Sequence, residues 1–327
     1  MQVLVTGAAG MIGRKLTERL VGTGLIGERR ITRLRLHDIV EPTIPATAPF
    51  RVETAASDLS VAGEADRLVA DQPQVIFHLA AIVSGEAEVD FDKGYRVNLD
   101  GTRRLFEAVR QSAPASAPRL VFTSSIAAFG APFPDTIDDD FLTAPLTSYG
   151  TQKAIGELLL SDYSRRGFVD GIGIRLPTIC VRPGAPNQAA SGFFSNIIRE
   201  PLNGQQAVLP VSDDVMHWLA SPRAAIGFLV HAAGLDTARL GPRRNLTMPG
   251  LATTVADQIE ALRKVAGDNV VKRIRRQPDP AIARIVAGWP RRFDARRARE
   301  LGFEADRSFD EIIRIHIDDE LGGRFVA

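Results

Sequence analysis

Gln2-Val3-Leu4-Val5-Thr6-Gly7-Ala8-Ala9-Gly10-Met11-Ile12-Gly13 is the stretch whose reading decides the fold. Five residues of a buried strand run into three glycines, and helical periodicity follows from Met11 to Val21. Strand, glycine turn and helix in that order make a phosphate-binding corner. Gly7 permits the tight turn, Gly10 lets the backbone approach a pyrophosphate, and Gly13 allows close packing of helix on strand. The helix start at Met11 and Ile12 offers unpaired N–H groups and partial positive charge to the phosphates. A dinucleotide is the expected ligand.

The same alternation continues outward. Strand-like runs recur at Ile31 to Leu36, Phe50 to Thr54, Val75 to His78, Leu120 to Thr123 and Gly173 to Leu176. Helical patterns lie between them at Val61 to Ala70, Gly94 to Ser112 and Tyr149 to Arg166. Repeated β-α-β units predict an α/β fold, a Rossmann-type doubly wound parallel sheet with helices on both faces. Regularity breaks after Leu176, and Arg182 to Gln188 (RPGAPNQ) reads as a loop. The expected division is a cofactor-binding domain over 1–183 and a smaller mixed α/β substrate lobe over 184–327. A segment near 214–234 is expected to return to the first domain.

Composition sets the outer limits. A net charge of +1 gives no field toward nucleic acid or anionic lipid. The basic stretches Lys272 to Arg276 and Arg291 to Arg299 read as solvated faces. No run of about 18 apolar residues exists, so no membrane span is expected. The single cysteine, Cys180, fits a reducing compartment. The first strand begins at residue 2 and leaves no room for a signal peptide, so a cytoplasmic location is expected. Five scattered histidines lack ligand spacing, and no metal is expected.

Asp38 ends the second strand, where a carboxylate accepts both adenosine ribose hydroxyls and repels a 2′-phosphate. NAD is therefore expected over NADP, with Arg35 the one residue whose reach could complicate that choice. Asp58 and Leu59 follow the third strand, where an Asp can take the adenine amino group. His78-Leu79-Ala80-Ala81 closes the fourth strand, and its small residues leave room for the cofactor. His78 itself reads as a packed, hydrogen-bonded histidine. Tyr149 and Lys153 are four residues apart and share a helix face. The ammonium favours the phenolate, which brings a phenol toward the range of a general base. Ser125 ends the fifth strand, at the sheet edge that faces a ligand crevice, and can orient a substrate hydroxyl toward Tyr149.

Assembled, these motifs resemble the extended short-chain dehydrogenase/reductases, the NAD-dependent epimerase/dehydratase family. The resemblance covers GAAGMIG at 7–13, Asp38, Asp58-Leu59, HLAA at 78–81 and Asn98 to Thr102. It continues through TSS at 123–125, YGTQK at 149–153 and DARRARELGF at 294–303. It implies Ser125, Tyr149 and Lys153 as the catalytic set, with Thr123 and Ser124 along the cofactor. It also implies that Asn98 supports the lysine region, that Pro177 and Thr178 approach the nicotinamide, and that a homodimer can form on the two long helices.

Departures from the family pattern bear on substrate. The loop after the sixth strand reads Val181-Arg182-Pro183-Gly184 where sugar-nucleotide members carry Tyr-Gly-Pro. An Arg-x-Gly-Asp-like phosphate element before residue 294 is not evident. Three stretches, beginning at Ala80, Arg175 and Trp218, resemble instead the branch that oxidises a D-erythronate-like four-carbon sugar acid at C2 to the 2-keto acid. A sugar acid needs a cation for its carboxylate, and Arg182 and Arg199 are the candidates. Ser84, Gly85, Gly192 and Phe193 are the remaining expected substrate neighbours. The competing readings are a nucleoside-diphosphate-sugar epimerase or dehydratase holding NAD tightly, and a catalytically silent NAD-binding regulator. The intact Ser125, Tyr149 and Lys153 speak against the silent regulator.

Overall fold

In the computed structural model, residues 1–184 and 190–327 are described. The chain divides into two compact units. The first comprises 1–128, 145–176 and 226–247, and the second 129–144, 177–225 and 248–327.

The first unit is built on seven strands: β1 (Gln2–Thr6), β2 (Arg33–Asp38), β3 (Arg51–Ala56), β4 (Val75–His78), β5 (Arg119–Ser125), β6 (Asp170–Leu176) and β7 (Asn245–Thr247). Their spatial order is β7-β6-β5-β4-β1-β2-β3, and every neighbouring pair is parallel. From β1 the chain winds one way to β2 and β3, then returns to β4 on the other side of β1. That reversal opens a crevice at the carboxyl ends of β1 and β4, where Gly7 stands. The helices that matter here are α1 (Met11–Thr23), α2 (Gly101–Gln111) and α3 (Ser148–Arg165). Leu4, Ile76, Leu105, Phe106, Leu120, Phe122 and Leu160 close the core that α2 and α3 share with the sheet.

The expected helix over 94–112 is not one regular helix. Tyr95–Asp100 is a π-helical turn that runs straight into α2. Apolar spacing does not register one extra residue per turn, so the sequence reads both as a single helix.

The second unit has a three-stranded sheet of Thr178–Ile179, Met216–Ala220 and Leu251–Thr254. A parallel pair, Ala207–Leu209 with Ile274–Arg276, lies beside helices α4 (Gly192–Leu202), Val255–Ala266 and Phe309–Leu321. Cys180, Phe194, Ile197, Leu219, Leu262 and Ile313 are among its buried core residues.

These divisions differ from the expected cut after residue 183 in three places. Pro177 to Arg182 belongs to the second unit, because Thr178 and Ile179 pair with Leu219 and Ala220. Residues 129–144 join it too: the Ile137 N–H donates to the Arg292 carbonyl and the Asp294 N–H to that of Ile137. The returning segment is 226–247 and not 214–234, since Met216–Ala220 is a strand of the second unit's sheet. Of the expected loop Arg182 to Gln188, residues 185–188 lie outside the described residues.

What holds the returning segment is a cluster at the amino ends of the strands. The Asp170 carboxylate accepts from Arg119 Nε (3.0 Å) and Nη2 (2.7 Å), from Arg244 Nη1 (3.2 Å) and from the Thr237 hydroxyl. Charge-assisted bonds of this kind contribute about 1.5–3 kcal/mol. The cluster lies at the opposite strand ends from Gly7. Asp170→Ala should therefore lower unfolding free energy by about 1.5–3 kcal/mol while NADH affinity stays near the parent's. Unchanged stability in urea titration would contradict the assignment.

Among the buried histidines of the described residues, His78 in the first unit and His217 in the second are held neutral with both ring nitrogens engaged. His78 Nε2 and Thr102 Oγ1 are 2.9 Å apart, and that hydroxyl donates to the Asn98 carbonyl. The Thr102 oxygen must then accept, so the proton is on Nε2 and Thr6 Oγ1 donates to Nδ1 (2.7 Å). In the second unit, His217 Nδ1 donates to the Pro290 carbonyl and Nε2 accepts from Thr178 Oγ1. Burial, then the Lys153 charge, pulls His78 down to about 3. Burial pulls His217 down to about 4, with the Arg182 charge acting in the same sense.

Both folded values lie below the ordinary histidine value, so the unfolded chain binds more protons as pH falls. Their stabilisation is present above about pH 6.5 and is lost progressively toward pH 4. Unfolding free energy should fall between about pH 6.5 and 5, by up to about 1.4 kcal/mol per unit for each histidine. A flat profile over that window would contradict neutral burial.

Candidate active site and cofactor cradle

The cradle forms where β1 ends. Gly7 has φ of +79°, the left-handed turn that redirects the chain into α1. A Cβ on Gly13 would stand 2.1 Å from the Gly7 carbonyl oxygen and 2.6 Å from Ala8 Cα. No side chain fits there, and α1 can lie directly on the strand end. At Gly10 the sole near neighbour of an added Cβ is that same oxygen, at 3.4 Å. A side chain at this position would fill the open space over the turn, which a diphosphate could take. No side chain caps α1, and its first turn, with Met11 and Ile12, holds no acidic residue. Its first N–H groups suit an anion. The cradle therefore fits a dinucleotide's pyrophosphate.

Asp38 joins the cradle to β2. Oδ2 accepts from the Ala9 N–H (2.9 Å) and Oδ1 from the Ile39 N–H (2.7 Å). Each carboxylate oxygen keeps a second lone pair, which suits two vicinal ribose hydroxyls. Arg35 is directed elsewhere: Nη1 donates to the Arg67 and Leu68 carbonyls, and Nη2 pairs with Asp71 at 3.0 Å. Asp58 Oδ1 is held by the Ser60 N–H and hydroxyl beyond β3, beside buried Leu59. The Leu79 N–H donates to the Thr6 carbonyl, which sets Leu79, Ala80 and Ala81 at the end of β4 beside Gly7.

A buried polar chain runs behind that edge, from Thr6 through His78 and Thr102 to the π-helical turn. Asn98 stands in the turn. Its Oδ1 accepts from the Ile82 N–H (2.8 Å) and its Nδ2 donates to Gln152 Oε1 (2.7 Å). Asn98 thus ties the segment after β4 to the residue preceding Lys153.

Lys153 is buried on α3, and its Nζ donates to the Thr123 carbonyl at 2.8 Å. The Thr123 hydroxyl donates to the His78 carbonyl, so the same residue also joins β5 to β4. The ammonium lies 5.1 Å from the Phe122 ring centroid and 5.6 Å from that of Tyr149. Burial pulls Lys153 down to about 8, and the Glu157 charge acts in the opposite direction. Tyr149 is half-buried in the first turn of α3, one helical turn before Lys153. A Cβ on Gly150 would lie 2.1 Å from the Ala127 carbonyl oxygen. Only glycine lets α3 begin this close to the segment that leaves β5, and Ser125 is the last residue of β5. The Ser125 hydroxyl accepts from the Ala127 N–H at 3.1 Å. Ser84 and Gly85 open the short helix Ser84–Val89, whose Glu88 carboxylate accepts from the Ser148 N–H at the start of α3.

Ser124, expected along the cofactor, turns its side chain toward α3. Its side chain is buried and its hydroxyl donates to Glu157. Glu157 in turn accepts from Arg175 Nε (2.9 Å) and Nη2 (2.7 Å). The sequence reading missed Glu157, Arg175 and Gln152. Glu157 was findable, because Tyr149, Lys153 and Glu157 form an i, i+4, i+8 stripe on one helix face.

In the second unit, Pro177 is buried and Thr178 donates to His217. Arg182 Nε donates to the Ile179 carbonyl and Nη2 to Ser191 Oγ, both at 3.0 Å. Arg199 is an anchor of that unit. Its guanidinium donates to the Arg182 carbonyl (2.7 Å), Asn196 Oδ1 (2.9 Å) and Glu200 Oε1 (2.6 Å), with 7% of the residue exposed. Arg199, expected as a candidate for the substrate carboxylate, thus has its guanidinium engaged within its own unit. Phe193, expected beside the ligand, packs in the second unit's core with its ring 4.1 Å from that of Phe194, and Gly192 is buried at the start of α4. Among the described residues no cluster of three His, Cys, Asp or Glu could hold a metal, and no helix is long and apolar enough to cross a membrane.

Comparison with known proteins places this arrangement. Residues 3–219 match the NAD dependent epimerase/dehydratase family. The chain is 49% identical over 323 residues to a D-erythronate dehydrogenase of Cupriavidus necator, covering 98% of both chains. It is 41% identical over 321 residues to one of Haemophilus influenzae, covering 98% of this chain and all of that one. A crystal structure from Agrobacterium tumefaciens, described as a nucleoside-diphosphate-sugar epimerase, superposes with a TM-score of 0.97 at 63% identity, covering 99% of this chain and 95% of that one. The chain belongs to the NAD-dependent epimerase/dehydratase family of extended short-chain dehydrogenase/reductases and is an NAD-dependent oxidoreductase.

Proposed function

We propose that this protein is a sugar-acid dehydrogenase that oxidises the C2 hydroxyl of D-erythronate, or a close relative, to the 2-keto acid. The observation that carries the chemistry is the buried Lys153 ammonium one turn from Tyr149, beside the strand end that bears Ser125. The two relatives named D-erythronate dehydrogenase, matched over nearly their whole length, support the substrate.

The chain's residues handle the proton. The Lys153 charge favours the Tyr149 phenolate, which takes the C2 hydroxyl proton. Ser125 donates to or accepts from that hydroxyl and fixes its orientation. NAD+, when bound, supplies the acceptor for the C2 hydride. Electron balance then leaves a C2 carbonyl, NADH and one proton. Gly7, Gly10, Gly13 and the start of α1 would hold the diphosphate, Asp38 the adenosine ribose, and Asp58 with Leu59 the adenine side. Arg182 is our choice for the substrate carboxylate.

The Agrobacterium structure favours a second reading, epimerisation of a nucleoside-diphosphate sugar without net redox change. The two readings differ in whether added NAD+ is consumed. With NAD+ and D-erythronate, the purified protein should form NADH, and Tyr149→Phe should cut kcat by about 100-fold or more with NADH binding retained. Near-parental turnover in that variant would refute the tyrosine assignment. Interconversion of a UDP-hexose without added NAD+, and no NADH from any sugar acid, would establish the epimerase reading.

Arg182→Met removes a charge-assisted bond to the carboxylate. It should lower kcat/KM for the acid by roughly 10–150-fold and affect the corresponding lactone much less. Equal losses on acid and lactone would remove Arg182 from the carboxylate role.

A further inference from the structure

Lys153 must stay charged although it is buried, and among the described residues the Glu157 carboxylate is suited to keep it so. Glu157 is one turn beyond Lys153 on the same face of α3. Two consecutive residues of β5 meet this pair. The Thr123 carbonyl accepts from the ammonium and the Ser124 hydroxyl donates to the carboxylate. From β6, Arg175 closes over both carboxylate oxygens, with side-chain exposures of 13% for Arg175 and 4% for Glu157.

The other groups around Lys153 supply no negative charge in its place. His78, from β4, is neutral and hydrogen-bonded at both nitrogens. Asn98, from the π-helical turn, reaches this region through the neutral amide of Gln152. Tyr149 shares the helix face. Tyr163 and its partner Glu107 pair farther along α3. Glu157 is the charge that works against desolvation of the ammonium.

We propose that Glu157, gripped by Arg175 and Ser124, is a positioning residue that holds Lys153 in its charged form and so sets the upper pH limit of turnover. The inference rests on the Tyr149–Lys153 reading above. When Lys153 loses its proton, the Tyr149 phenolate loses its electrostatic support. Glu157→Gln removes the carboxylate charge and leaves the Arg175 guanidinium without its counter-charge. Both changes make the Lys153 proton easier to lose. Arg175→Gln has the opposite sign, since it leaves the carboxylate unshielded.

The test is kcat against pH for the parent, Glu157→Gln and Arg175→Gln, with NAD+ and D-erythronate. The alkaline limb should move down by about one pH unit in Glu157→Gln, a tenfold change in proton affinity. It should move up in Arg175→Gln. A purely structural role would lower kcat by one factor at every pH in both variants, and that result overturns the proposal. So does an unmoved limb in Glu157→Gln.

Melting temperature gives a readout without turnover. Lys153 has a folded value below its unfolded one, so its contribution makes stability rise with pH above about 8. In Glu157→Gln that rise should begin about one unit lower, and an unchanged onset counts against the proposal. If Glu157→Gln does not fold, Arg175→Gln decides alone: a limb shifted up supports the proposal, and one unmoved or shifted down overturns it. Tyr149→Phe separates the two claims. Full activity there sinks the tyrosine reading, whereas an inactive Tyr149→Phe beside an unmoved Glu157→Gln limb sinks this inference alone.

Discussion

Burying the Lys153 ammonium is the constraint on which the first unit's site depends. A charged amine taken out of water costs several kcal/mol unless its donors are met and an opposite charge is near. The Thr123 carbonyl meets one donor, and the Phe122 ring lies under the charge. Those contacts require α3 to press on β5. Gly150 permits this at the helix start, and Gly156, whose added Cβ would stand 2.6 Å from Phe122, permits it two turns later. Thr123 transmits the constraint, because its hydroxyl ties β5 to the His78 carbonyl on β4.

The fold supplies the place and the side chains supply the chemistry. Parallel strands bring Thr6, Asp38, His78 and Ser125 to one edge of the sheet, so residues far apart in sequence share one crevice. Hydride transfer to a nicotinamide serves net oxidation as well as epimerisation. Family membership therefore leaves the substrate open, and relatives with different descriptions follow naturally. The choice lies with the cation that meets the substrate, either a group for a carboxylate or a cradle for a second diphosphate. No Arg-x-Gly-Asp-like phosphate element is evident before residue 294, which is why the sugar acid is preferred.

The glycine corner, Asp38 and the Tyr149–Lys153 pair were legible because each is local. A turn, a strand end and a helix face all fall within a few residues. The six strands read from sequence all lie in the sheet, with ends displaced by up to three residues. The seventh, Asn245–Thr247, was missed. It is three residues long and joins the sheet only through long-range pairing with β6, where Asn245, Leu246 and Thr247 lie beside Gly173, Ile174 and Arg175. The membership of 129–144 in the second unit was equally invisible, since it depends on Ile137 meeting Arg292 and Asp294. The partners of Arg199 were invisible for a related reason: a guanidinium on a helix after a loop suggests a ligand, and only the structure reveals that Glu200, Asn196 and a carbonyl engage it. Ser124 was placed along the cofactor by the family resemblance, and a motif does not reveal that alternation along β5 turns its side chain to Glu157.

Oxidation at C2 of a free sugar acid can be followed directly with an isotope. D-erythronate carrying deuterium at C2 would be incubated with NAD+ and the protein, and the nicotinamide product examined by mass. One deuterium should appear in the reduced nicotinamide, in equal amount to the 2-keto acid formed. Unlabelled NADH would place oxidation at another carbon. No NADH at all, together with UDP-hexose interconversion, would exclude sugar-acid oxidation outright.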